Sequence, residues 1–331
     1  MGAGSVGCYL GGALAAAGVN VHFVGRPRVL QALAQQGLTV SDMDGRRTAL
    51  PADALHLHAE IPANLDPTLT LLCVKSGATV EAAQSLAAAL PAGSKVISMQ
   101  NGIGNAERGQ AAAPALDWRA GMVPFNVAEL GPGQFHRGTG GALAVQSAAD
   151  DADLLALQQA FASQGLKLRL AADMRAVQWG KLVINLNNPV NALSGRPLRA
   201  ELLERGYRRC WAALQNEALD LLDAAGIAIA QMTALPPRKL LRVLRLPSPI
   251  FKLIAAKMLK IDEKARSSMA DDLALGRTTE IDALSGEVVR LAHRLGRQAP
   301  LNARILTLVQ AWPQRPLPYS PRELEEALGL R

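Results

Sequence analysis

The chain opens on Gly2-Ala3-Gly4-Ser5-Val6-Gly7, and this loop runs without a break into the apolar stretch Cys8 to Ala17. No other feature restricts the fold so strongly. In a GxGxxG turn the first glycine permits the tight bend, the second lets backbone approach a pyrophosphate, and the third allows close packing of helix on strand. Amides at the start of the following helix then face the phosphates. The arrangement calls for a doubly wound α/β unit with a buried strand ahead of the loop, yet only Met1 precedes Gly2. The expectation is a Rossmann-like domain whose first strand is absent from this sequence, the natural chain starting upstream.

The residue that ends the next strand selects the dinucleotide. An acid there suits the ribose hydroxyls of NAD, whereas a cation suits a 2′-phosphate. Here VNVHFVG ends in Arg26-Pro27-Arg28 with no carboxylate nearby, which favours NADP(H) and makes Arg26 its phosphate ligand. Beyond it, β-rich runs at Val19 to Val24, Leu69 to Val74 and Lys95 to Met99 alternate with helical stretches at Val29 to Gln36 and Glu81 to Ala89. That alternation predicts a parallel sheet covered by helices. Short strands with glycine-rich turns, GPGQF and GTGG, follow between Trp118 and Val145 and read as hairpins that close the domain. A helix from Asp151 to Gln164 and a strand near Leu166 to Leu170 complete it.

From Asp173 onward the helical period dominates, with long stretches at Asp173–Asn187, Arg199–Ala225 and Met269–Leu295. Prolines between Leu235 and Pro249 predict turns between short helices. The reading is an α/β N-terminal domain over 1–171 and an all-α C-terminal domain over 172–331, consistent with a 331-residue chain long enough for two cores.

Composition narrows the classes further. Cys8, Cys73 and Cys210 lack the spacing of a zinc site or a disulfide framework, which fits a reducing cytoplasm. No apolar run approaches the roughly 20 residues of a membrane span. The net charge of +7 is carried by one segment, Pro237 to Arg266, where nine Lys/Arg face only Asp262 and Glu263. Such a localised excess reads first as a solvated helix face and second as attraction for an anionic substrate; neither nucleic acid nor a membrane is expected as a partner. His22, His56, His58, His136 and His293 lack partners at metal-ligand spacing, so no metal is expected.

Polar residues set in apolar context mark the candidate chemistry. These are Lys75 closing LTLLCVKSG, Asn101 of QNG after KVISM, Lys181 with Asn185 and Asn188 in WGKLVINLNNP, and Ser267-Ser268-Met269 followed by Glu280. Lys75 and Asn101 fall at strand ends, where open α/β sheets present ligands. Lys181 and Asn185 stand four apart on one helix face, and the twelve residues from Ser268 to Glu280 amount to roughly three turns of the expected helix. A dinucleotide-dependent reduction of a carbonyl group requires an acid for the carbonyl oxygen. Lys181 is the candidate acid.

Taken together, the GAGSVG loop, Arg26, Lys75, Asn101, the Lys181–Asn185 helix motif and SSM followed by TEID resemble the ketopantoate reductase family over nearly the whole chain. The resemblance implies NADPH-dependent reduction of 2-dehydropantoate to pantoate, with another small 2-oxo acid, or a non-catalytic NADP-binding role, as the alternatives. It implies Gly2, Gly4, Ser5, Val6, Gly7, Arg26, Lys75 and Asn101 around NADP(H), with Asn101 also bordering substrate. Lys181 becomes the general acid, Glu280 its partner in contact with substrate, and Asn185 and Ser268 substrate ligands. NLNNP is one residue shorter than the compact family pattern, so either Asn188 or Asn191 fills the second asparagine role, Asn188 being preferred because Pro189 follows it. Ala265 stands where some members carry an asparagine. A cytoplasmic enzyme follows; oligomeric state is not legible, and a homodimer is allowed for.

Overall fold

The computed structural model describes residues 1–147, 151–256, 259, 261–263 and 265–330. The chain divides into two units, Met1–Met174 and Arg175–Arg331.

In the first unit the glycine loop feeds directly into α1 (Ser5–Ala16), whose Cys8, Tyr9, Leu10, Ala13 and Leu14 are buried. There follow β1 (His22–Val24), α2 (Pro27–Gln36), β2 (Leu38–Asp42), β3 (Arg47–Leu50), β4 (His56–His58), β5 (Thr70–Leu72) and α3 (Thr79–Ala89). Then come β6 (Lys95–Ser98), α4 (Asn105–Ala112), β7 (Asp117–Met122), β8 (Val127–Gly131), β9 (Gln134–Arg137), β10 (Leu143–Gln146), α5 (Ala152–Ser163) and β11 (Leu168–Ala171). The main sheet runs β11-β10-β7-β6-β5, parallel except where β10 meets β7. Short, continuously apolar strands such as Val96–Ile97 suit this sheet because helices cover both faces.

Strand β1 pairs in parallel with β4 and not with β5. Between them lie Met1 to Ala3. The Met1 amino group donates to Leu71 O (3.0 Å) and the Cys73 N–H donates to Met1 O (2.8 Å). On the other side the Gly2 and Ala3 N–H groups both donate to Val24 O, at 2.9 and 3.0 Å. Alongside, an apolar groove of about 320 Å³ is lined by Val21, Phe23, Leu69, Leu71, Leu86 and Leu157 among others.

The hairpin reading of 118–145 needs correction. β7 and β10 belong to the main sheet, whereas the β8–β9 hairpin joins β2 and β3 in a separate sheet of order β3-β2-β9-β8. The β2–β3 hairpin, turning at Asp44-Gly45, was not foreseen. An ion pair locks this sheet: Arg137 Nη2 sits 2.9 Å from Asp42 and 2.8 Å from Asp44, with both Arg137 and Asp42 side chains buried.

The second unit is helical: α6 (Met174–Asn185), α7 (Asn188–Ser194), α8 (Leu198–Leu203), α9 (Arg205–Ala224), α10 (Pro237–Leu244) and α11 (Ser248–Ile254), then α12 (Ser268–Ala274), α13 (Ile281–Arg294), α14 (Pro300–Gln310) and α15 (Pro321–Leu328). Its axis is α9, which buries Tyr207, Trp211, Leu214, Ala218 and Leu222. No described helix is long and apolar enough to cross a membrane.

Two stretches expected as single helices are broken. Arg199–Ala225 divides at Glu204, whose φ of −93° and ψ of 118° are extended. Carbonyls near the break find side-chain donors: Arg208 Nη1 reaches Leu202 O (2.7 Å) and Ser248 Oγ reaches Leu203 O (3.0 Å). Met269–Leu295 divides after α12, where Gly276 adopts a φ of +61° and the Arg277 N–H returns to Asp272 O at 2.8 Å. A left-handed glycine stops a helix in this way. Ser268 and Glu280 therefore begin two different helices and are not three turns apart on one.

Within the basic segment, α10 buries Leu240, Leu241 and Leu244, while Arg238 pairs with Asp220 (2.7 Å) and Asp223 (2.5 Å). Lys257, Lys260 and Lys264 of that segment lie outside the described residues.

Candidate active site

The glycine loop has the geometry that its sequence asks for. Gly2 holds a φ of +92°, and a Cβ there would lie 2.6 Å from Val74 N. At Gly7 a Cβ would approach Gly2 O to 2.2 Å, so the loop closes only without side chains at both positions. Gly4 differs: it is the N-cap of α1, makes no side-chain cap, and an added Cβ would meet nothing within 4 Å. Its bareness therefore serves no packing inside the chain. An open backbone face at an uncapped helix start, with Ser5, Val6 and Gly7 in the first turn, is a fitting cradle for a pyrophosphate.

Val24 O accepts from the loop, and Arg26 stands two residues beyond it as the exposed N-cap of α2. Arg28 is engaged with Glu129 at 3.4 Å, whereas Arg26 has no ion pair among the described residues.

Lys75 and Asn101 are brought close through Gln100. Gln100 Nε2 donates to Val74 O (3.0 Å) and to Thr79 Oγ1 (2.9 Å), and Ser98 Oγ donates to Gln100 Oε1 (2.9 Å). Asn101 is fixed from behind as well, its carbonyl accepting from Ser76 Oγ (2.8 Å) and Asn105 Nδ2 (2.7 Å). The loop after β5 and the loop after β6 are thereby tied together at the carboxyl ends of adjacent strands. Gln100 stands out in the sequence as the polar residue beside Asn101 after KVISM, whereas Thr79 and Asn105, which it and Asn101 engage, carry no such signal.

In the helical unit Lys181 lies on α6, half-buried, between Trp179 and Leu182, which are buried. Burial disfavours its ammonium form and lowers its pKa to about 8, while the Glu280 carboxylate, by attraction, acts in the opposite sense. Glu280 is the N-cap of α13, so the charge partner comes from a helix remote in sequence. Asn185 ends α6 and is half-buried.

Asn188 and Asn191 differ in their surroundings. Asn191 is fully buried and spent on structure, donating to Glu201 Oε2 (2.9 Å) and Arg196 O (2.9 Å) and accepting from Ser267 N–H (2.9 Å). Asn188 is half-buried at the start of α7, with its carbonyl accepting from Ser267 Oγ at 3.2 Å. Ser267 also caps α12, accepting from Ala270 N–H (3.1 Å), which leaves its neighbour Ser268 exposed on the first turn. Asn188 and Ser268 are in this way carried by two elements that Ser267 sews together. Glu201 was missed although LRAELL places an acid next to buried Leu202.

His22, far in sequence from the other histidines, stacks on His56 (ring centroids 4.8 Å), and its Nδ1 lies 3.0 Å from His58 Nε2. Parallel pairing of β1 with β4 produces this cluster. Among the described residues no group of three or more His, Cys, Asp or Glu is arranged to hold a metal ion.

A glycine-loop α/β unit followed by a helical unit that carries a desolvated lysine and a paired glutamate defines the class of two-domain, pyridine-nucleotide-dependent oxidoreductases. Within that class the chain belongs to the ketopantoate reductase PanE/ApbA family, residues 1–150 matching the family itself and residues 173–312 its C-terminal domain. It is 26% identical to the 2-dehydropantoate 2-reductase of Halobacterium salinarum, over 93% of this chain and 96% of that one. The enzyme of the same name from Pyrococcus horikoshii is 27% identical over 94% and 95% of the two chains. Among solved structures, a PanE/ApbA family ketopantoate reductase from Ralstonia eutropha superposes with a TM-score of 0.77 at 27% identity, covering 94% of this chain and 96% of that one. A D-mandelate dehydrogenase solved with NADH shares the fold, with a TM-score of 0.76 at 18% identity, covering 94% and 96%.

Proposed function

We propose that this protein reduces 2-dehydropantoate to pantoate with NADPH. The carrying observation is Lys181, a lysine brought to a pKa of about 8 by burial and attended by Glu280. A proton donor works best when its pKa lies near the working pH, and an unperturbed lysine holds its proton too tightly for that.

Bound NADPH would supply the hydride that C2 of the 2-oxo acid receives. Lys181 Nζ gives its proton to the former carbonyl oxygen, so that the product is the neutral 2-hydroxyl group and the lysine is left uncharged until it regains a proton from solvent. Glu280 favours the charged lysine before transfer and, by the same attraction, its reprotonation from solvent afterwards. Asn185, Asn188 and Ser268 provide neutral hydrogen-bond donors for the substrate's polar groups. Gly2, Gly4 and the first-turn residues Ser5, Val6 and Gly7 hold the pyrophosphate, Arg26 holds the 2′-phosphate, and Lys75 and Asn101 border the cofactor at the sheet edge.

A second reading, a reductase for another small 2-oxo acid, is favoured by Ala265, which supplies no side-chain donor where some family members have an amide. Sites built on hydrogen bonds discriminate strongly by them. Comparing kcat/KM for NADPH oxidation across ketopantoate, phenylglyoxylate and unbranched 2-oxo acids decides between the two. Ketopantoate should lead the series. A higher value for another acid moves the assignment to that substrate, and absence of any substrate-dependent oxidation refutes the catalytic reading.

A further inference from the structure

Glu201, on α8, is a fully buried carboxyl group that the proposed chemistry does not use. Its Oε2 accepts from Asn191 Nδ2 (2.9 Å) and Asn187 Nδ2 (3.3 Å), the two asparagines that flank Asn188. Asn191 passes the constraint on, since its Oδ1 receives the Ser267 N–H (2.9 Å) and Ser267 Oγ donates to Asn188 O (3.2 Å). A single chain of hydrogen bonds thus leads from Glu201 to the backbone of Asn188 and to the residue preceding Ser268.

We propose that Glu201 is a positioning residue, which through Asn191 and Ser267 fixes the substrate-facing side chains of Asn188 and Ser268. The proposal rests on the reading of the Lys181 site given above. Burying a polar group at this place is costly, and a leucine of similar size would fill the space without that cost. What leucine lacks is an acceptor able to hold two amide groups at once. The carboxyl group is best regarded as a neutral acid. Burial raises its pKa to about 8, against the opposing hydrogen bonds from Asn191 and Asn187. Two buried acceptors here, Glu201 Oε1 and Asn187 Oδ1, lack a donor among the described residues, and a protonated carboxyl brings the one hydrogen that a carboxylate does not have. Glutamine reproduces that pattern of one acceptor and one donor group; leucine reproduces only the volume.

The test is steady-state kinetics of wild type, K181A, E201Q, E201L and S267A, each with a thermal melt. E201Q should keep the ketopantoate KM within about twofold. E201L, folded at the assay temperature, should lose roughly 10- to 100-fold in kcat/KM, mostly through KM, as misplaced binding groups do. NADPH affinity should stay unchanged in both. Should E201L fail to fold, S267A cuts the same chain at its far end and should raise KM in the same direction. Wild-type KM in folded E201L or in S267A, or E201Q as impaired as E201L, overturns the positioning role alone. An inert wild type, or K181A with unaltered kcat, overturns the reading of the site and the role that depends on it.

Discussion

The Glu280 carboxylate raises the proton affinity of Lys181 across two helices, α13 and α6, against a desolvation that brings the lysine down to a pKa of about 8. Neither residue has this property by itself. A lysine without the glutamate would lose its proton at still lower pH, and one without the burial would hold its proton throughout the physiological range.

A pH dependence follows with a definite sign. The general acid must be protonated, so kcat/KM should be level below the lysine pKa and fall as pH rises through about 8. Glu280→Gln removes the attraction that favours the charged form and should move this limb to lower pH. A pH profile of NADPH oxidation for both proteins reads the shift; a limb that stays in place would separate Glu280 from Lys181.

Lys181→Ala should lower kcat by about 10²–10⁴-fold, the usual contribution of general acid catalysis. Its effect on NADPH affinity should be small, because the proposed role of the lysine is at the carbonyl oxygen and not at the dinucleotide. Single-turnover rates alongside fluorescence titration with NADPH separate the two quantities.

Arg26→Ala should weaken NADPH roughly 10- to 100-fold, as expected for a charge-assisted contact, and leave NADH nearly unaffected. Arg28 is already engaged with Glu129 and should not substitute for it. Equal losses for both cofactors would place the 2′-phosphate elsewhere.

Gly7→Ala puts a methyl group 2.2 Å from Gly2 O, against backbone that has no freedom to retreat. The substitution should destabilise the first unit by about 1–3 kcal/mol and abolish tight cofactor binding, as overpacking does elsewhere. Gly4→Ala, with open space around its Cβ, should leave the melt almost unchanged while still reducing NADPH affinity. The contrast between the two variants, read by melting and by titration, distinguishes a packing glycine from one that meets ligand.

Arg137→Ala should cost about 3–5 kcal/mol, because it leaves Asp42 buried without its partner. Desolvation alone would raise the Asp42 pKa, but hydrogen bonds, that from Arg137 foremost, outweigh it and lower the value. The stabilisation is therefore complete above the ordinary aspartate range and lost as pH falls through the lowered value. Urea unfolding of wild type at pH 7 and at pH 3 should show this loss, and Arg137→Ala should show less of it.

The sequence by itself determined those features that depend on neighbours along the chain. GAGSVG marks the loop because Gly7 meets Gly2 O only five residues away, although the crowding at Gly2 comes from Val74, past β5. Alternation of strand and helix runs gave the parallel sheet, and Arg26 was legible because the end of a strand fixes where the next residue stands. The TEID and WGKLVIN segments were recognisable as patterns, though not as a pair. Tertiary structure decided everything that joins distant segments. It set Glu280 against Lys181, bonded the buried Asn191 to Glu201 while Asn188 stays half-buried, gathered His22, His56 and His58 on adjacent strands, and drew β8 and β9 away to β2. It also broke two helical stretches, at Glu204 and Gly276, where side chains from elsewhere or a left-handed glycine satisfied the exposed backbone. The reason lies in range: a helical period or a turn is encoded by residues within a few positions, whereas the desolvation of a lysine or the choice between two asparagines depends on which far segment packs against it.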